Sequence, residues 1–201
     1  MLRVGLTGGL ASGKSFVGDV LERKGCRILK ADEQGHAVLE PGGEAHSGVV
    51  AAFGAEILSG DGTIDRKRLA AIVFADNEQL RRLNALVHPA VVQREEDWLQ
   101  QVEADDPGAI AVVEAAILIE TGSYRRFDKL ILAVCGEEQQ VERAMSRDGV
   151  TREEVLARLR RQMSLEEKKR FADYLIDTSG SESDTTLQVE RVYEELRKLN
   201  L

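Results

Sequence analysis

The segment Gly8–Ser15 (GGLASGKS) fits the pattern G-x-x-x-x-G-K-[ST] in full. Glycines in such a loop let the backbone turn so that successive N–H groups point inward at phosphate groups. Lys14 is expected to reach the β- and γ-phosphates of a nucleoside triphosphate, and the Ser15 hydroxyl is expected to ligate Mg²⁺. The segment therefore predicts a phosphate-binding loop, with a plain glycine-rich turn before a helix as the alternative.

A carboxylate that could act on an acceptor hydroxyl follows the second predicted strand at Asp32. Ligands of parallel α/β sheets bind at the carboxyl ends of the strands, where an aspartate can accept a hydroxyl proton during phosphoryl transfer. The alternative role for Asp32 is the N-cap of the helix that the following residues predict. One residue could serve both roles.

A second carboxylate, Glu114, interrupts an otherwise apolar predicted strand (AIAVVEA, 109–115). A buried carboxylate is costly without a partner. Two partners are open for Glu114: Mg²⁺ held through water, which we favour, or an arginine.

Arginines that could stabilise a transferring phosphoryl group cluster between residues 143 and 161. Guanidinium groups bind the negative charge that spreads over the moving group once water is excluded. We expect most of them to be solvated and paired with Glu142, Glu153 and Glu154, and one or two to reach the phosphates. The candidates are Arg143, Arg147, Arg152, Arg158, Arg160 and Arg161.

Short apolar segments alternate with helical patterns along the chain. This alternation predicts an α/β fold with a mainly parallel, five-stranded sheet flanked by helices. The predicted strands are 2–7, 26–31, 109–115, 129–135 and 173–177. The long stretch 42–107 predicts a helical insertion. The arginine-rich stretch 146–170 has few apolar residues, which predicts a solvated flap.

The composition of the 201-residue chain is that of a soluble globular protein, with 43% hydrophobic and 31% charged residues. A net charge of −8 argues against nucleic-acid or membrane-surface binding by bulk electrostatics. No apolar stretch is long enough to span a bilayer and no leader segment is recognisable, so we expect a cytoplasmic protein. Cys26 and Cys135 are expected to be buried free thiols, and the histidines are not spaced as zinc ligands beside them.

Three classes of protein share such a loop: small-molecule kinases, GTPase switches, and motor or transport ATPases. The Asn-Lys-x-Asp tetrapeptide typical of guanine recognition does not occur. Motor ATPases are generally larger and carry sensor segments that we do not find. A small-molecule kinase needs an acceptor-side base and an arginine-rich lid, and the chain offers a candidate for each.

Beyond the loop, the chain resembles the dephospho-coenzyme A kinase family nearly end to end. LTGGLASGKS (6–15) is similar to that family's opening, and ADEQGHAVLEPGG (31–43) to its acceptor-side aspartate segment. The stretch 53–89 follows the family pattern through Asp65-Arg66, Leu83-Asn84 and His88-Pro89. RAMSRDGVTREEV (143–155) resembles the lid motif, RLRRQ (158–162) places Gln162, and ADYLIDTSGS (172–181) resembles the terminal strand and adenine-side loop.

The resemblance implies a nucleotide-binding core (1–40, 108–145 and 171–201), a helical CoA domain (41–107) and a lid (146–170). The implied reaction is phosphorylation of the ribose 3′-hydroxyl of dephospho-CoA by ATP with Mg²⁺, the last step of coenzyme A biosynthesis. By position, Asp32 is then the general base, Lys14 and Arg147 stabilise the transferring phosphoryl group, and Ser15 binds Mg²⁺.

Two sets of binding residues complete this expectation. The residues expected to bind ATP are Gly9, Ala11, Ser12, Gly13, Lys14, Ser15, Phe16, Arg143 and Arg147. The residues expected on the acceptor side are Asp32, His88, Glu114 and Arg161. His88 precedes Pro89 at an expected helix end, so a purely structural role is its alternative.

The chain departs from the family pattern at several positions. Lys30 stands where Asp is frequent, Ala116–Glu120 replaces Pro-Leu-Leu-x-Glu, Phe16 replaces a common Thr, and Thr178 replaces the usual Asn. We expect Phe16 and Thr178 to affect ATP affinity more than activity. The alternatives are another nucleoside or nucleotide kinase, or a nucleotide-binding regulator without turnover. The implied partners are small molecules, with no nucleic acid or membrane, and the chain is expected to be a monomer or small homo-oligomer.

Overall fold

Five parallel strands form one sheet in the computed structural model, which describes residues 1–200. The strand order is β2-β3-β1-β4-β5, so β1 lies between β3 and β4, and every pairing is parallel. The strands are β1 Leu2–Gly8, β2 Arg27–Lys30, β3 Ile110–Glu114, β4 Lys129–Val134 and β5 Tyr174–Asp177. The predicted five-stranded parallel sheet is confirmed.

Helices connect these strands. Over the described residues they are α1 Lys14–Arg23, α2 Ala31–Ala37, α3 His46–Phe53, α4 Arg66–Ala75, α5 Asn77–Asp105, α6 Glu137–Asp148, α7 Arg152–Leu159, α8 Leu165–Lys169 and α9 Glu182–Leu199. Two short 3₁₀ turns lie at Ala55–Ile57 and Ser123–Arg126. Helix α9 is the closing helix that the end of the sequence predicts.

The chain divides into two compact units, each with its own apolar core. The first comprises Met1–Lys30 and the chain from Leu99 onward, and contains the whole sheet. Its core joins β1 and β3 to the apolar sides of α1 and α9, because the central strands of a parallel sheet are apolar along their whole length. The core residues include Val4, Leu6, Val17, Leu21, Val112, Ile131, Ile176, Val189 and Leu196.

The second compact unit is Ala31–Trp98, and it is helical apart from its turns. Its buried residues include Val38, Val49, Phe53, Ile57, Leu69 and Val73. The sequence predicted a helical insertion over 42–107. The compact unit begins earlier, at Ala31, and ends earlier, at Trp98 within α5. The assignment of this region to CoA binding stays a prediction.

Helix α5 continues through Pro89, so the expected helix end at His88 is wrong. Proline lacks a backbone N–H and removes one helical hydrogen bond, which usually ends or kinks a helix. Here the 29-residue helix runs on to Asp105. His88 therefore lies in the interior of a long helix.

The arginine-rich stretch 146–170 is only partly solvated, which corrects the expectation of a flap without a core. Val155 of α7 is fully buried with Val141 and Ala144 of α6. Lys168 of α8 is also buried. The low apolar content of the stretch did not indicate this packing, because the residues that Val155 contacts lie in α6 and in the phosphate loop.

Over the part of the chain that is described, no helix combines the length and the apolar character that a membrane span requires.

Candidate active site

The phosphate-loop segment lies between the end of β1 at Gly8 and the start of α1 at Lys14. The loop turns between Gly9 and Ser12, where the backbone N–H of Ser12 donates to the Gly9 carbonyl at 3.2 Å. Gly13 has a φ of 80°, which favours glycine, and α1 begins there without a side-chain cap. An uncapped helix N-terminus after a glycine loop presents N–H groups and a positive dipole end to an anion.

Glu114 holds two side chains of this loop. At the carboxyl end of β3 and only 3% exposed, its Oε1 accepts from Lys14 Nζ at 2.9 Å and from Ser15 Oγ at 2.7 Å. The partner of the buried carboxylate is thus the loop lysine, and the alternative of an arginine partner is wrong. Sequence reasoning could not find this pairing, because β3 follows the loop by about a hundred residues.

The second oxygen of Glu114, Oε2, is buried without a hydrogen-bond partner among the described residues. A Cβ on Gly18 of α1 would lie 2.8 Å from it, so glycine at this position lets the carboxylate approach the helix. A buried, unsatisfied carboxylate oxygen beside Ser15 Oγ is the kind of donor that Mg²⁺ prefers. Phe16, expected among the ATP-binding residues, is partly buried and packs against the core of the first unit.

Thr178 contacts both Arg143 and the inner part of the loop, which is Ser12 to Ser15. Its Oγ1 donates to the Ser12 carbonyl at 2.8 Å. Arg143 of α6 donates to the Thr178 carbonyl at 2.7 Å and to its Oγ1 at 3.2 Å. A Cβ on Gly13 would lie 2.8 Å from the same hydroxyl. Thr178, which departs from the family pattern, therefore contacts the phosphate loop directly, and the sequence did not indicate this contact.

The outer part of the loop, which is Gly9 to Ala11, is bound by the side chains of two glutamines. Gln140 of α6 donates its Nε2 to the Leu10 carbonyl at 2.8 Å, and the Leu10 N–H donates to Gln162 Oε1 at 3.1 Å. Gln162 follows α7. The sequence placed Gln162 only through a family motif, and Gln140 carried no signal at all.

Three arginines of the predicted lid region form ion pairs with Asp148 and Glu138. Arg147, with a side chain 60% exposed, binds Asp148 through Nε at 2.7 Å and Nη2 at 3.1 Å. This hydrogen bond lowers the pKa of Asp148. Arg152 binds Glu138 at 2.6 Å, and Arg158 lies 3.5 Å from Asp148.

A turn explains the difference. Gly149, with a φ of 65°, ends α6 and lets α7 fold back beside it, so Arg152 meets Glu138. Glu154 instead forms a capping box with Thr151 at the start of α7. The expectation that Glu142, Glu153 and Glu154 are the partners is therefore wrong for Arg152 and Arg158.

The acceptor-side candidates divide between the two compact units. Asp32 and His88 belong to the unit Ala31–Trp98, whereas Glu114 and Arg161 belong to the other. Asp32 is the second residue of α2, directly after β2 and Ala31, so the N-cap alternative for it is wrong. His88 is partly buried, and loss of water contact lowers the pKa of its imidazole.

Comparison with known proteins identifies the family. A family model described as dephospho-CoA kinase matches residues 2–184. Dephospho-CoA kinase from Geobacter sulfurreducens is 42% identical over 191 residues, which cover 94% of this chain and 96% of the relative.

Solved structures agree with this result. TT1252 from Thermus thermophilus has a TM-score of 0.84 at 34% identity, covering 97% of both chains. Dephospho-CoA kinase from Campylobacter jejuni has a TM-score of 0.74 at 27% identity, covering 99% of this chain and 98% of that one. The resemblance drawn from the motifs is confirmed, and the chain belongs to the dephospho-CoA kinase family, with the fold of phosphate-loop kinases.

Proposed function

We propose that this chain transfers the γ-phosphoryl group of ATP to the ribose 3′-hydroxyl of dephospho-CoA, which gives CoA and ADP. The observation that carries the proposal is the joint binding of Lys14 and Ser15 by buried Glu114 at the uncapped start of α1. Membership of the dephospho-CoA kinase family over nearly the whole chain supplies the substrate class.

The phosphates of ATP would bind to the N–H groups of the loop and of the first turn of α1. Lys14 would then exchange its bond to Glu114 for bonds to the β- and γ-phosphates. Its ammonium sits on a flexible four-carbon stem, so this exchange needs no movement of the backbone. Ser12, Gly13 and Arg143 would complete the ATP side of the site.

Ser15 and Glu114 fit Mg²⁺, because that ion takes oxygen ligands and keeps several of its waters. Glu114 Oε2 is a buried oxygen without a protein partner in the described chain, beside the hydroxyl of Ser15. Ser15 would bind the ion directly and Glu114 through water. Bound Mg²⁺ neutralises charge on the β- and γ-phosphates.

Asp32 is the proposed general base, because it follows β2 at the carboxyl end of the sheet. The acceptor oxygen forms a bond to the γ-phosphorus and its proton passes to the Asp32 carboxylate. The bond from the γ-phosphorus to the bridging oxygen breaks, and ADP leaves with that electron pair.

Lys14 and Arg147 would stabilise the charge on the transferring group. Arg147 is bound to Asp148 on its own helix and is largely exposed, and exposed ion pairs are weak. It can therefore leave Asp148 for a phosphate at little cost. Residues 146–170 would act as the lid that carries it.

The helical unit Ala31–Trp98 would bind the acceptor. Loss of water contact lowers the pKa of His88, which favours the neutral form of its imidazole. We propose that it offers the acceptor a hydrogen bond without a charge.

Free cysteines fit a reducing compartment, and both Cys26 and Cys135 are free and buried. We propose that the chain works in the cytoplasm on small molecules, as a monomer or a small homo-oligomer, without a nucleic-acid or membrane partner.

The test is ADP release from ATP and Mg²⁺ with dephospho-CoA, adenosine, AMP and shikimate each offered as the acceptor. Release only with dephospho-CoA, with CoA as the product by mass spectrometry, supports the proposal. Release with another acceptor instead would assign the helical unit to a different substrate. ATP binding without release for any acceptor would favour a nucleotide-binding regulator.

A further inference from the structure

Both backbone groups of Leu10, in the outer half of the phosphate loop, are bound by glutamine side chains. Its carbonyl accepts from Gln140 Nε2 at 2.8 Å, and its N–H donates to Gln162 Oε1 at 3.1 Å. A backbone carbonyl requires a donor and a backbone N–H requires an acceptor, so the orientation of both amides is fixed by the chemistry of the loop. We call these two side chains the glutamine clamp.

The glycine at position 9 is explained by the clamp. The motif G-x-x-x-x-G-K-[ST] leaves this position open, and Gly9 does not adopt the left-handed φ that favours glycine. A Cβ on Gly9 would lie 2.5 Å from Gln140 Nε2 and 3.6 Å from Gln162 Oε1. Any larger residue would therefore displace the Gln140 amide.

The backbone next to Gln162 is also held by hydrogen bonding and by an ion pair. The next residue, Met163, donates its N–H to Glu120 Oε1 at 3.3 Å. The same oxygen lies 2.8 Å from the ammonium of Lys168, whose side chain is 2% exposed. An ion pair between buried Lys168 and partly buried Glu120 thus holds the backbone beside Gln162.

Apolar packing supports the same half of the loop. Leu10 and Ala11 pack against the buried cluster of Val141, Ala144 and Val155, which belongs to α6 and α7. Thr178 and Glu114 hold the inner half through Ser12, Lys14 and Ser15. The two halves of the loop are therefore positioned by different parts of the first compact unit.

We infer that Gln140 and Gln162 are positioning residues for ATP: they set the Leu10 peptide groups, and with them the outer half of the phosphate loop, for the phosphates. Their effect on phosphoryl transfer rests on the proposed function, but their effect on ATP binding does not. The clamp also ties the loop to the arginine-rich segment, because Gln162 lies between α7 and α8.

The first test compares Gln140→Ala, Gln162→Ala and the double variant by calorimetric titration with ATP and Mg²⁺. Each single change should weaken ATP binding by about five- to tenfold, the size of one lost neutral hydrogen bond. The double variant should lose little more than one single variant, because both side chains act through one residue. Gln101→Ala, which removes an exposed glutamine bonded to Asp105 on α5, is the matched control and should bind ATP within about twofold of the wild type.

Gln140→Met and Gln162→Met keep the side-chain length without the amide, so they replace the alanine variants if those do not fold. Single variants that bind ATP as tightly as the Gln101→Ala control would overturn the inference, and so would losses that multiply in the double variant. With dephospho-CoA, the single variants should lower kcat by about tenfold and leave the KM for dephospho-CoA within about twofold. Because an inactive fraction of the protein would also lower the apparent kcat without changing KM, kcat is calculated per ATP site counted in the calorimetric titration.

Gly9→Ala gives an independent test. In the wild-type background it should weaken ATP binding as much as Gln140→Ala does, and in the Gln140→Ala background it should add less than about twofold. An equal loss in both backgrounds would contradict the clamp. ATP binding needs no acceptor, so a wild-type chain that binds ATP but forms no CoA would overturn the proposed function and leave these binding results standing.

Discussion

Lys14 Nζ lies 2.9 Å from Glu114 Oε1, and the side chains are only 12% and 3% exposed. The lysine that must meet the phosphates is thus already bound to a buried carboxylate at the end of β3. Removing one partner of a buried ion pair leaves the other charge uncompensated, which is strongly destabilising. The phosphates of ATP carry the charge that can replace the carboxylate.

Glu114→Gln should therefore destabilise the ATP-free protein more than the ATP-bound protein. Glutamine keeps the shape and an oxygen acceptor, so we expect a loss of about 1–3 kcal/mol in the free energy of unfolding without ATP. Saturating ATP without Mg²⁺, which leaves the proposed metal role of Glu114 out of the comparison, should raise the melting temperature of the variant more than that of the wild type. Equal shifts in the two proteins would show that Lys14 does not exchange Glu114 for phosphate.

Asp32→Asn should bind ATP normally and lose at least about a hundredfold in kcat, since a general base contributes roughly 10²–10⁴ in rate. Glu33→Gln, which neutralises the neighbouring exposed carboxylate on α2, is the control and should retain activity. The measurements are kcat for CoA formation and the dissociation constant for ATP. Turnover of Asp32→Asn near that of Glu33→Gln would remove Asp32 from the role of base.

Thr178→Val should weaken ATP binding, because it deletes the hydroxyl that donates to the Ser12 carbonyl at 2.8 Å. The buried carbonyl then lacks its partner, which costs about 1–3 kcal/mol in the free energy of unfolding. Thr178→Ser keeps the hydroxyl and should restore both ATP affinity and stability. Equal behaviour of the valine and serine variants would show that the hydroxyl does not position the loop.

The unfolding free energy should fall at alkaline pH because of Cys26. Burial raises the pKa of this thiol from 9.0 to about 12. Above pH 9 the unfolded chain loses the thiol proton while the folded chain keeps it, so this contribution to stability is complete below pH 9 and is lost as the pH rises toward 12.

Urea unfolding at pH 8 and pH 10 measures this effect. Between these values the wild type should lose about 1 kcal/mol more than Cys26→Ala, whose stability lacks the thiol term. Parallel losses in the two proteins would mean that the thiol ionises equally in the folded and unfolded chains.

Local patterns were sufficient to predict the sheet and the loop. The three central strands are mostly apolar, and the glycine loop lies between a strand and a helix, so β1, the loop and α1 followed from neighbouring residues. Helix α5 did not, because tertiary packing overrides the local effect of Pro89.

The contacts of the site were beyond local patterns for a different reason. Glu114 meets Lys14, and Thr178 meets Ser12, across sequence separations of 100 and 166 residues. Gln140 reaches Leu10 across 130 residues. Motifs indicated which residue types carry the chemistry, but only the folded chain brings their partners to them.

The fate of the γ-phosphoryl group is the most direct measurement of the proposed function. The protein in excess would be mixed with ATP labelled at the γ-phosphate, Mg²⁺ and dephospho-CoA, and the products separated after one turnover. We expect the label on the 3′-phosphate of CoA, with no transfer when dephospho-CoA is left out. Label in inorganic phosphate, or label retained on ATP, would contradict a kinase that acts on dephospho-CoA.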